Sequence, residues 1–294
     1  MAKSICPNGS ERYAPIGHPP FRTRFRTKIP ESNGIAAVRS AARRSTEKEV
    51  QLMTRQMTRT ISLEKWQPPA PPPENNPRAV VDWAIDRFSD REIAMTTSFG
   101  MESIVLMHLL EPRVPSLRVI YVDTGFLFAE THALREKLNG RFSQFRFEAI
   151  EPQLTAKEQA REIRPELWKD DPDLCCKIRK VEPLHRAIQG VDIWFASLRR
   201  DQSPSRWNTQ LVEWNWQYQL LKICPLVTWS RQKVYDYLVE YNLPYNELHD
   251  RDYPTVGCTH CTKPVPGTKP WEYSRDGRWA GQEKKECGLH GDGI

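Results

Sequence analysis

Apolar positions from residue 79 onward follow two alternating spacings. Apolar residues three and four positions apart predict amphipathic helices at 79–88, 102–111, 128–138, 173–188 and 230–241. Between these helices, short runs of β-branched and aromatic residues predict buried strands at 92–99, 117–123, 145–150 and 191–197. Strands that alternate with helices indicate βαβ units. We therefore expect an α/β fold with a parallel twisted sheet flanked by helices, followed after about residue 244 by an irregular C-terminal segment.

The first 76 residues differ in composition from the rest. They are rich in Arg, Ser and Pro and end in a proline-rich stretch, which predicts a disordered basic extension over 1–76. A short helix around 45–58 is a further expectation. An organelle transit peptide shares the Arg and Ser content, but acidic residues, among them Glu11, Glu31, Glu47 and Glu49, interrupt this segment. A further alternative is that the true start of the protein lies later in the sequence, because Met53 and Met57 can also serve as initiators.

Charge is distributed unevenly. The chain has a net charge of +6, yet residues 1–60 alone carry 12 Lys/Arg against 4 Asp/Glu, so the remainder is slightly acidic. The net charge of the folded part therefore does not support nucleic-acid binding. No apolar run approaches the ~20 residues of a membrane-spanning helix, which predicts a protein with no membrane partner. Seven clustered cysteines in 294 residues favour a reducing cytoplasm over a disulfide scaffold.

Four cysteines form two short groups, the adjacent Cys175 and Cys176 and the spaced Cys258 and Cys261. Four thiolates are enough to enclose a metal centre. The residues alone support zinc and an iron–sulfur cluster about equally. Adjacent side chains on a helix diverge by about 100°, which suits separate irons better than one small ion. A vicinal disulfide is a third alternative, although a reducing cytosol argues against it.

A fifth cysteine, Cys287, lies near the C-terminus. Lys284, Lys285 and His290 lie close by in sequence and would favour its thiolate, which predicts a nucleophile. Glycines at 288, 291 and 293 predict a mobile tail over about 282–294. We expect Cys224 to lie in the core and Cys6 to have no role.

Two predicted strands end in loops that are candidates for ligand binding, because parallel sheets bind ligands at the carboxyl ends of their strands. Ser98, Phe99 and Gly100 precede a helix whose N-terminus is suited to an anion. Asp123, Thr124 and Gly125 follow the second strand. Each loop is equally well explained as an ordinary helix cap. Neither a dinucleotide fingerprint nor a Walker loop is present.

Taken together, these motifs resemble the 3′-phosphoadenylyl sulfate / adenylyl sulfate reductase family of assimilatory sulfate reduction. The matching motifs follow one another over about residues 80–290: the SFG loop, the DTG segment, DLCCKIRKVEPL, SLRRDQSPSR, GCTHC, an Arg-x-x-Arg pair before Trp279, and the terminal KECGLH. The resemblance implies a PP-loop fold of the adenine nucleotide alpha hydrolase type and a reductase domain over 77–294.

The resemblance also implies the chemistry. Four cysteines imply a 4Fe–4S cluster held by Cys175, Cys176, Cys258 and Cys261, and adenylyl sulfate as the substrate. Cys287 is the implied nucleophile, which would form an S-sulfonate and release AMP before thioredoxin or glutaredoxin releases sulfite. Arg199 and Arg200 are further anion-binding candidates. The implied substrate-binding residues are Ser98, Phe99, Gly100, Asp123, Thr124, Gly125, Lys180, Arg206, Arg275 and Arg278.

Two other functions stay open. One is reduction of the 3′-phosphorylated nucleotide. The other is a zinc-containing PP-loop protein that binds nucleotides or modifies tRNA, although such proteins normally keep an SGGxDS loop. The SFGMES loop also places Ser103 where an acidic residue is more usual in the family.

Overall fold

The computed structural model describes residues 70–290. Within this range lies a six-stranded sheet in the order β3-β2-β1-β4-β6-β5. All neighbouring strands are parallel except β5, which pairs antiparallel with β6 at one edge. The predicted α/β class is confirmed. The strands are β1 (Ile93–Thr96), β2 (Arg118–Val122), β3 (Arg146–Ile150), β4 (Ile193–Phe195), β5 (Val212–Asn215) and β6 (Leu220–Ile223).

Helices flank the sheet at or near the predicted positions. Most of α2 is buried, and it packs against α1 and α8. After α8 the described chain has only short 3-10 helices and isolated bridges, as predicted for the irregular segment. The α-helices are α1 (Pro77–Arg87), α2 (Met101–Leu110), α3 (Ala129–Arg141), α4 (Ala156–Glu162), α5 (Leu167–Asp170), α6 (Pro172–Cys176), α7 (Glu182–Ala187) and α8 (Arg231–Glu240).

The helix predicted at 173–188 changes pitch in its middle. Between α6 and α7 the chain forms a π-helix, Lys177–Val181, in which the Glu182 N–H donates to the carbonyl of Lys177. Pro183 explains the wider turn, because a proline lacks the N–H for the preceding turn and clashes with the carbonyl four residues back. The π-helix carries Arg179 and Lys180, two cations of the site described below.

The β5–β6 hairpin was not predicted. Every residue of β6 is buried, so the strand lacks the alternation that identifies a half-buried strand. The hairpin matters because Asn215, Tyr218 and Lys222 contact the C-terminal segment.

The order of the strands reverses at β1, with β2 and β3 on one side and the other strands on the opposite side. Such a reversal leaves a crevice outside the carboxyl ends of the strands. The irregular segment lies against this edge, where Leu127 and Cys258 form an isolated bridge. No helix among the described residues is both long and apolar enough to span a bilayer.

The predicted N-terminal extension lies mostly outside the described residues, as do the predicted helix at 45–58 and Cys6. Of the extension, residues 70–76 are described. Glu74 forms two hydrogen bonds to Arg200, of 2.7 and 2.9 Å, and its carbonyl accepts from Thr228. Arg200 is therefore tied to the start of the domain and lies away from the crevice. The boundary at residue 76 stays a prediction.

Candidate active site

Two adjoining cavities occupy the crevice at the carboxyl ends of β1, β2 and β4. The larger, of about 150 Å³, is lined by Cys287 and several arginines. The smaller, of about 100 Å³, is lined by apolar side chains, including Phe99 and Leu127. Ser98, Lys180 and His290 line both. The crevice thus joins an apolar compartment to a cationic one that contains a thiol.

The loop after β1 is held in one conformation by its own hydroxyl groups. Thr97 Oγ1 accepts from the Phe99 N–H (2.8 Å) and lies 2.8 Å from Ser103 Oγ, which donates to the Gly100 carbonyl. Phe99 adopts a φ of 61°, and its buried ring packs on Tyr121. Ser103 therefore holds the loop, while Ser98 and Gly100 face the cavities.

Glu102 forms a buried ion-pair centre that was not predicted. Its Oε1 lies 3.1 Å from Arg231 Nη1 and 3.2 Å from Arg199 Nε. Burial acts to raise the pKa of Glu102, but Arg231 and Arg199 lower it to about 2. Arg199 is completely buried, so its role is to neutralise Glu102 and support the loop.

The DTG segment contributes one residue to the crevice. Thr124 lines the smaller cavity, but Asp123 and Gly125 do not line either one. The Asp123 carboxylate accepts from the Gly125 N–H at 3.0 Å, which shapes the turn. Gly125 has a φ of 70°, and a Cβ there would lie 3.0 Å from Arg179 Nη2. Asp123 and Gly125 thus shape the turn, and their assignment to substrate stays a prediction.

Cys175 and Cys176 lie near Cys258 and Cys261, although the two pairs come from distant segments of the chain. All four are free thiols. Burial, together with the nearby thiols of Cys258 and Cys261, raises the pKa of Cys175 to about 11. Burial likewise raises the pKa of Cys176 to about 12. Cys258 lies 3.3 Å from Thr124 Oγ1. Within residues 70–290, no three Cys, His, Asp or Glu side chains surround a point that would hold one metal ion.

Three cations surround these thiols. Arg179 is buried and donates to the Thr124 carbonyl. Burial opposes the charge of Lys180, but Cys258, Cys176 and Cys287 more than offset this effect and raise its pKa. Arg278 donates to the Cys261 carbonyl at 3.3 Å. These three positive charges would compensate a negatively charged group if one were bound at the thiols.

Gly257 allows Arg278 to approach closely. A Cβ at this position would lie 2.6 Å from Arg278 Nη2, so any larger residue would displace the guanidinium. The guanidinium also stacks on Trp279, at 4.4 Å from the ring centroid.

Cys287 lines the larger cavity, but its surroundings differ from the prediction. Lys284 forms an ion pair with Asp173, and Lys285 is exposed. The ring of His290 stacks on Trp194, and burial lowers its pKa well below the usual value, so His290 is neutral. The cation beside Cys287 is instead Lys180, whose pKa the Cys287 thiol raises.

The segment around Cys287 is held in place by Glu286, a residue the sequence did not single out. The buried Glu286 carboxylate accepts hydrogen bonds from four side chains, Ser203 (2.7 Å), Ser205 (3.3 Å), Arg206 (2.9 Å) and Arg275 (3.1 Å). Arg206 and Arg275 line the larger cavity, but their charges face this carboxylate, and their assignment to substrate stays a prediction. The predicted mobility of the tail stays untested, and residues 291–294 lie outside the described range.

Two solved structures have a similar fold. The crystal structure of phosphoadenylyl-sulfate reductase from Candida auris, in a phosphate complex, aligns with a TM-score of 0.56 and 27% identity, covering 65% of this chain and 90% of that one. FMN adenylyltransferase from Candida glabrata, in complex with FMN and an ATP analogue, aligns with a TM-score of 0.52 and 14% identity, covering 80% and 86%. The second likeness concerns the fold alone. The fold and crevice define a protein of the PP-loop nucleotide-binding class.

Sequence comparison identifies the family within this class. Residues 92–264 match the phosphoadenosine phosphosulfate reductase domain. Adenosine 5′-phosphosulfate reductase 2 of Bacillus subtilis is 43% identical over 211 residues, 72% of this chain and 88% of the relative. The adenosine 5′-phosphosulfate reductase of Geobacillus kaustophilus is 40% identical over 230 residues, 77% and 96%. The chain belongs to the phosphoadenosine phosphosulfate reductase family, which confirms the predicted family and its class, an oxidoreductase acting on sulfur groups.

Proposed function

We propose that this protein reduces adenylyl sulfate to sulfite and AMP, with Cys287 as the nucleophile. The observation that carries the proposal is the position of the Cys287 thiol in the same cavity as Lys180 and Arg278, directly beside the loop after β1. Relatives about 40% identical are named adenosine 5′-phosphosulfate reductases, which supports the choice of substrate. The reducing cytosol is the proposed location, because the reaction needs free thiols.

The two cavities suit the two ends of the substrate. The apolar compartment beside Phe99 and Leu127 accommodates the adenine ring. The N-terminus of α2, with the backbone of Gly100 and the hydroxyl of Ser98 beside it, suits the phosphate, because a helix N-terminus binds anions. The sulfate then extends into the larger cavity, toward Cys287.

Lys180 and Arg278 are the proposed contacts of the sulfate. Within residues 70–290, neither side chain forms an ion pair, whereas Arg206 and Arg275 are paired with Glu286. An anion in the larger cavity therefore meets two positive charges that no carboxylate among the described residues pairs with. A guanidinium also offers forked donors that fit a tetrahedral oxyanion.

The proposed reaction is a transfer of the sulfonate group followed by thiol exchange. The Cys287 thiolate attacks the sulfur, a bond forms between the two sulfur atoms, and the bond to the phosphate oxygen breaks, so AMP leaves with the electron pair. A thiolate of thioredoxin or glutaredoxin then attacks Cys287 Sγ, and sulfite leaves. The second thiol of the reductant completes its disulfide and restores Cys287. The dithiol is oxidised, and the substrate sulfur is reduced.

We propose that Cys175, Cys176, Cys258 and Cys261 hold a [4Fe–4S] cluster. Four neighbouring thiols and three surrounding cations support an anionic thiolate-ligated group. The adjacent Cys175 and Cys176 diverge on their helix, which suits the separate irons of a cluster better than one zinc ion. When bound, the cluster would supply a fixed negative charge that orients Lys180 toward the substrate. Iron and acid-labile sulfide analysis of protein purified without air tests this proposal, and stoichiometric zinc without sulfide would contradict it.

The proposed activity is tested by sulfite formation from adenylyl sulfate with a reduced dithiol protein. Cys287→Ser should be inactive, and Cys224→Ala, which removes a buried thiol of the core, should be active. An active Cys287→Ser protein would overturn the proposal. Parallel turnover of the 3′-phosphorylated nucleotide decides between the two candidate substrates, since the similar Candida auris structure is named for that nucleotide.

A further inference from the structure

The Glu286 carboxylate has an unusual environment for a residue near a chain terminus. Only 3% of Glu286 is exposed, and its donors come from two separate parts of the chain. Ser203, Ser205 and Arg206 follow β4, whereas Arg275 belongs to the irregular segment. A buried carboxylate with two guanidinium and two hydroxyl donors is fully compensated and strongly held.

We propose that Glu286 is the positioning residue of the nucleophile: its carboxylate seats the C-terminal segment so that Cys287 faces the cavity, and it must leave its four donors before Cys287 can reach a protein reductant. This inference rests on the proposed function, in which Cys287 must meet first the bound substrate and then a second protein.

The other contacts of the segment are weaker. The carbonyls of Gly288 and Leu289 accept from neutral side chains, at 3.5 and 3.1 Å. The His290 carbonyl lies 3.4 Å from Lys222 Nζ. The partner of Lys284, Asp173, is more than half exposed, so solvent weakens that pair. Hydrogen bonds between charged groups are about twice as strong as neutral ones, so Glu286 makes the strongest polar attachment of the segment, beside the stacking of His290 on Trp194.

The attachment of Glu286 acts on Cys287 in particular, because of where Glu286 lies in the chain. The two residues are adjacent, so fixing the Glu286 side chain fixes the backbone that carries the thiol. The Lys285 carbonyl also accepts from Arg275 Nη2 at 2.6 Å. Arg275 therefore holds the segment by both a carboxylate and a main-chain oxygen just before the thiol.

The test measures how accessible the Cys287 thiol is to a reagent in solution, independently of turnover. Glu286→Gln keeps the shape of the side chain but removes the charge that two arginines bind. In protein without substrate, alkylation of Cys287 by iodoacetamide, followed on the C-terminal peptide by mass spectrometry, should accelerate by about tenfold or more. The kcat for sulfite formation should fall by a similar factor, while the KM for adenylyl sulfate changes much less, since Glu286 is not placed on the substrate. Glu286→Asp should show an intermediate effect on both.

Glu283→Gln is the matched control, because Glu283 is exposed and lies three residues away on the same segment. It should leave alkylation and turnover unchanged. If Glu286→Gln proves unstable, the double variant Ser203→Ala/Ser205→Ala carries the test, since it removes two donors and no charge. It should accelerate alkylation a few-fold.

An alkylation rate and kcat equal to those of the unaltered protein, in either Glu286→Gln or the serine double variant, would overturn the role of Glu286. Failure of the proposed function would show itself differently, as sulfite formation by Cys287→Ser, and would leave the alkylation result intact.

Discussion

The four paired cysteines and Cys287 lie at one site but in different surroundings. Cys175 and Cys176 are buried on a helix, and burial raises the pKa of each thiol to 11 or above. Cys287 lines an open cavity, on a segment attached mainly through the side chain of Glu286. Burial on a helix suits Cys175 and Cys176 to holding a buried group, whereas a half-buried position beside the cavity suits Cys287 to attack.

The largest expected effect concerns Cys287, the half-buried thiol of this comparison. Cys287→Ser should reduce sulfite formation to the background rate, because a serine hydroxyl is not ionised near neutral pH and attacks sulfur poorly. The visible absorbance of the proposed cluster should persist. Loss of that absorbance in Cys287→Ser would contradict the separation between the two kinds of thiol.

Cys258→Ser tests the group of four cysteines that is proposed to hold the cluster. Removing one of four neighbouring thiols should abolish iron and sulfide retention, because each thiolate holds one corner of a cluster. Unfolding should occur at a lower temperature, since metal binding contributes to folding. Cys224→Ala should retain its iron and lose only about 1 kcal/mol of stability. Full iron content in Cys258→Ser would show that these cysteines do not act together.

A smaller effect concerns Lys180, the cation between the two groups of thiols. Lys180→Gln should lower kcat/KM for adenylyl sulfate by about 10- to 100-fold, the range expected for the loss of one charge-assisted hydrogen bond. Lys177→Gln is its control, because Lys177 is exposed on the same π-helix. Equal kcat/KM values for the two variants would remove Lys180 from the substrate site.

The last effect is on stability, not on turnover, and concerns the buried Glu102 beside the site. The pKa of Glu102 falls from 4.5 to about 2 on folding, so its ionised form stabilises the fold above pH 4.5. The corresponding contribution is about 3 kcal/mol at neutral pH and is lost as the pH falls toward 2. Urea unfolding of Glu102→Gln should show reduced stability at pH 7 and a flatter pH dependence below pH 5. An unchanged slope would mean that Arg199 and Arg231 do not control this carboxylate.

Much of the fold could be predicted from the sequence, because β1 to β4 and the helices between them have strong periodicity. The β5–β6 hairpin was missed because β6 is buried along its whole length. The π-helix was missed because Pro183 affects the turn before it, which an apolar pattern does not reveal. The wider turn nevertheless leaves Cys176 and Lys180 near each other, as predicted.

The thiols of the site were predicted better than its charges. Cysteines are rare, so their spacing is informative, whereas arginines and glutamates are common and their pairing depends on distant contacts. Glu102 and Glu286 acquire their roles from residues 80 to 130 positions away, Arg206, Arg199 and Arg231. The ion pair between Lys284 and Asp173, which lie 111 positions apart, could likewise not be predicted from the sequence.

The most direct measurement is a mass spectrum of the protein after mixing with adenylyl sulfate in the absence of any reductant. One sulfonate group should be found on the peptide that carries Cys287, and it should disappear when a reduced dithiol protein is added. A sulfonate on Cys175, Cys176, Cys258 or Cys261, or sulfite formation with no modified cysteine at any time, would contradict the assignment of Cys287 as the attacking thiol.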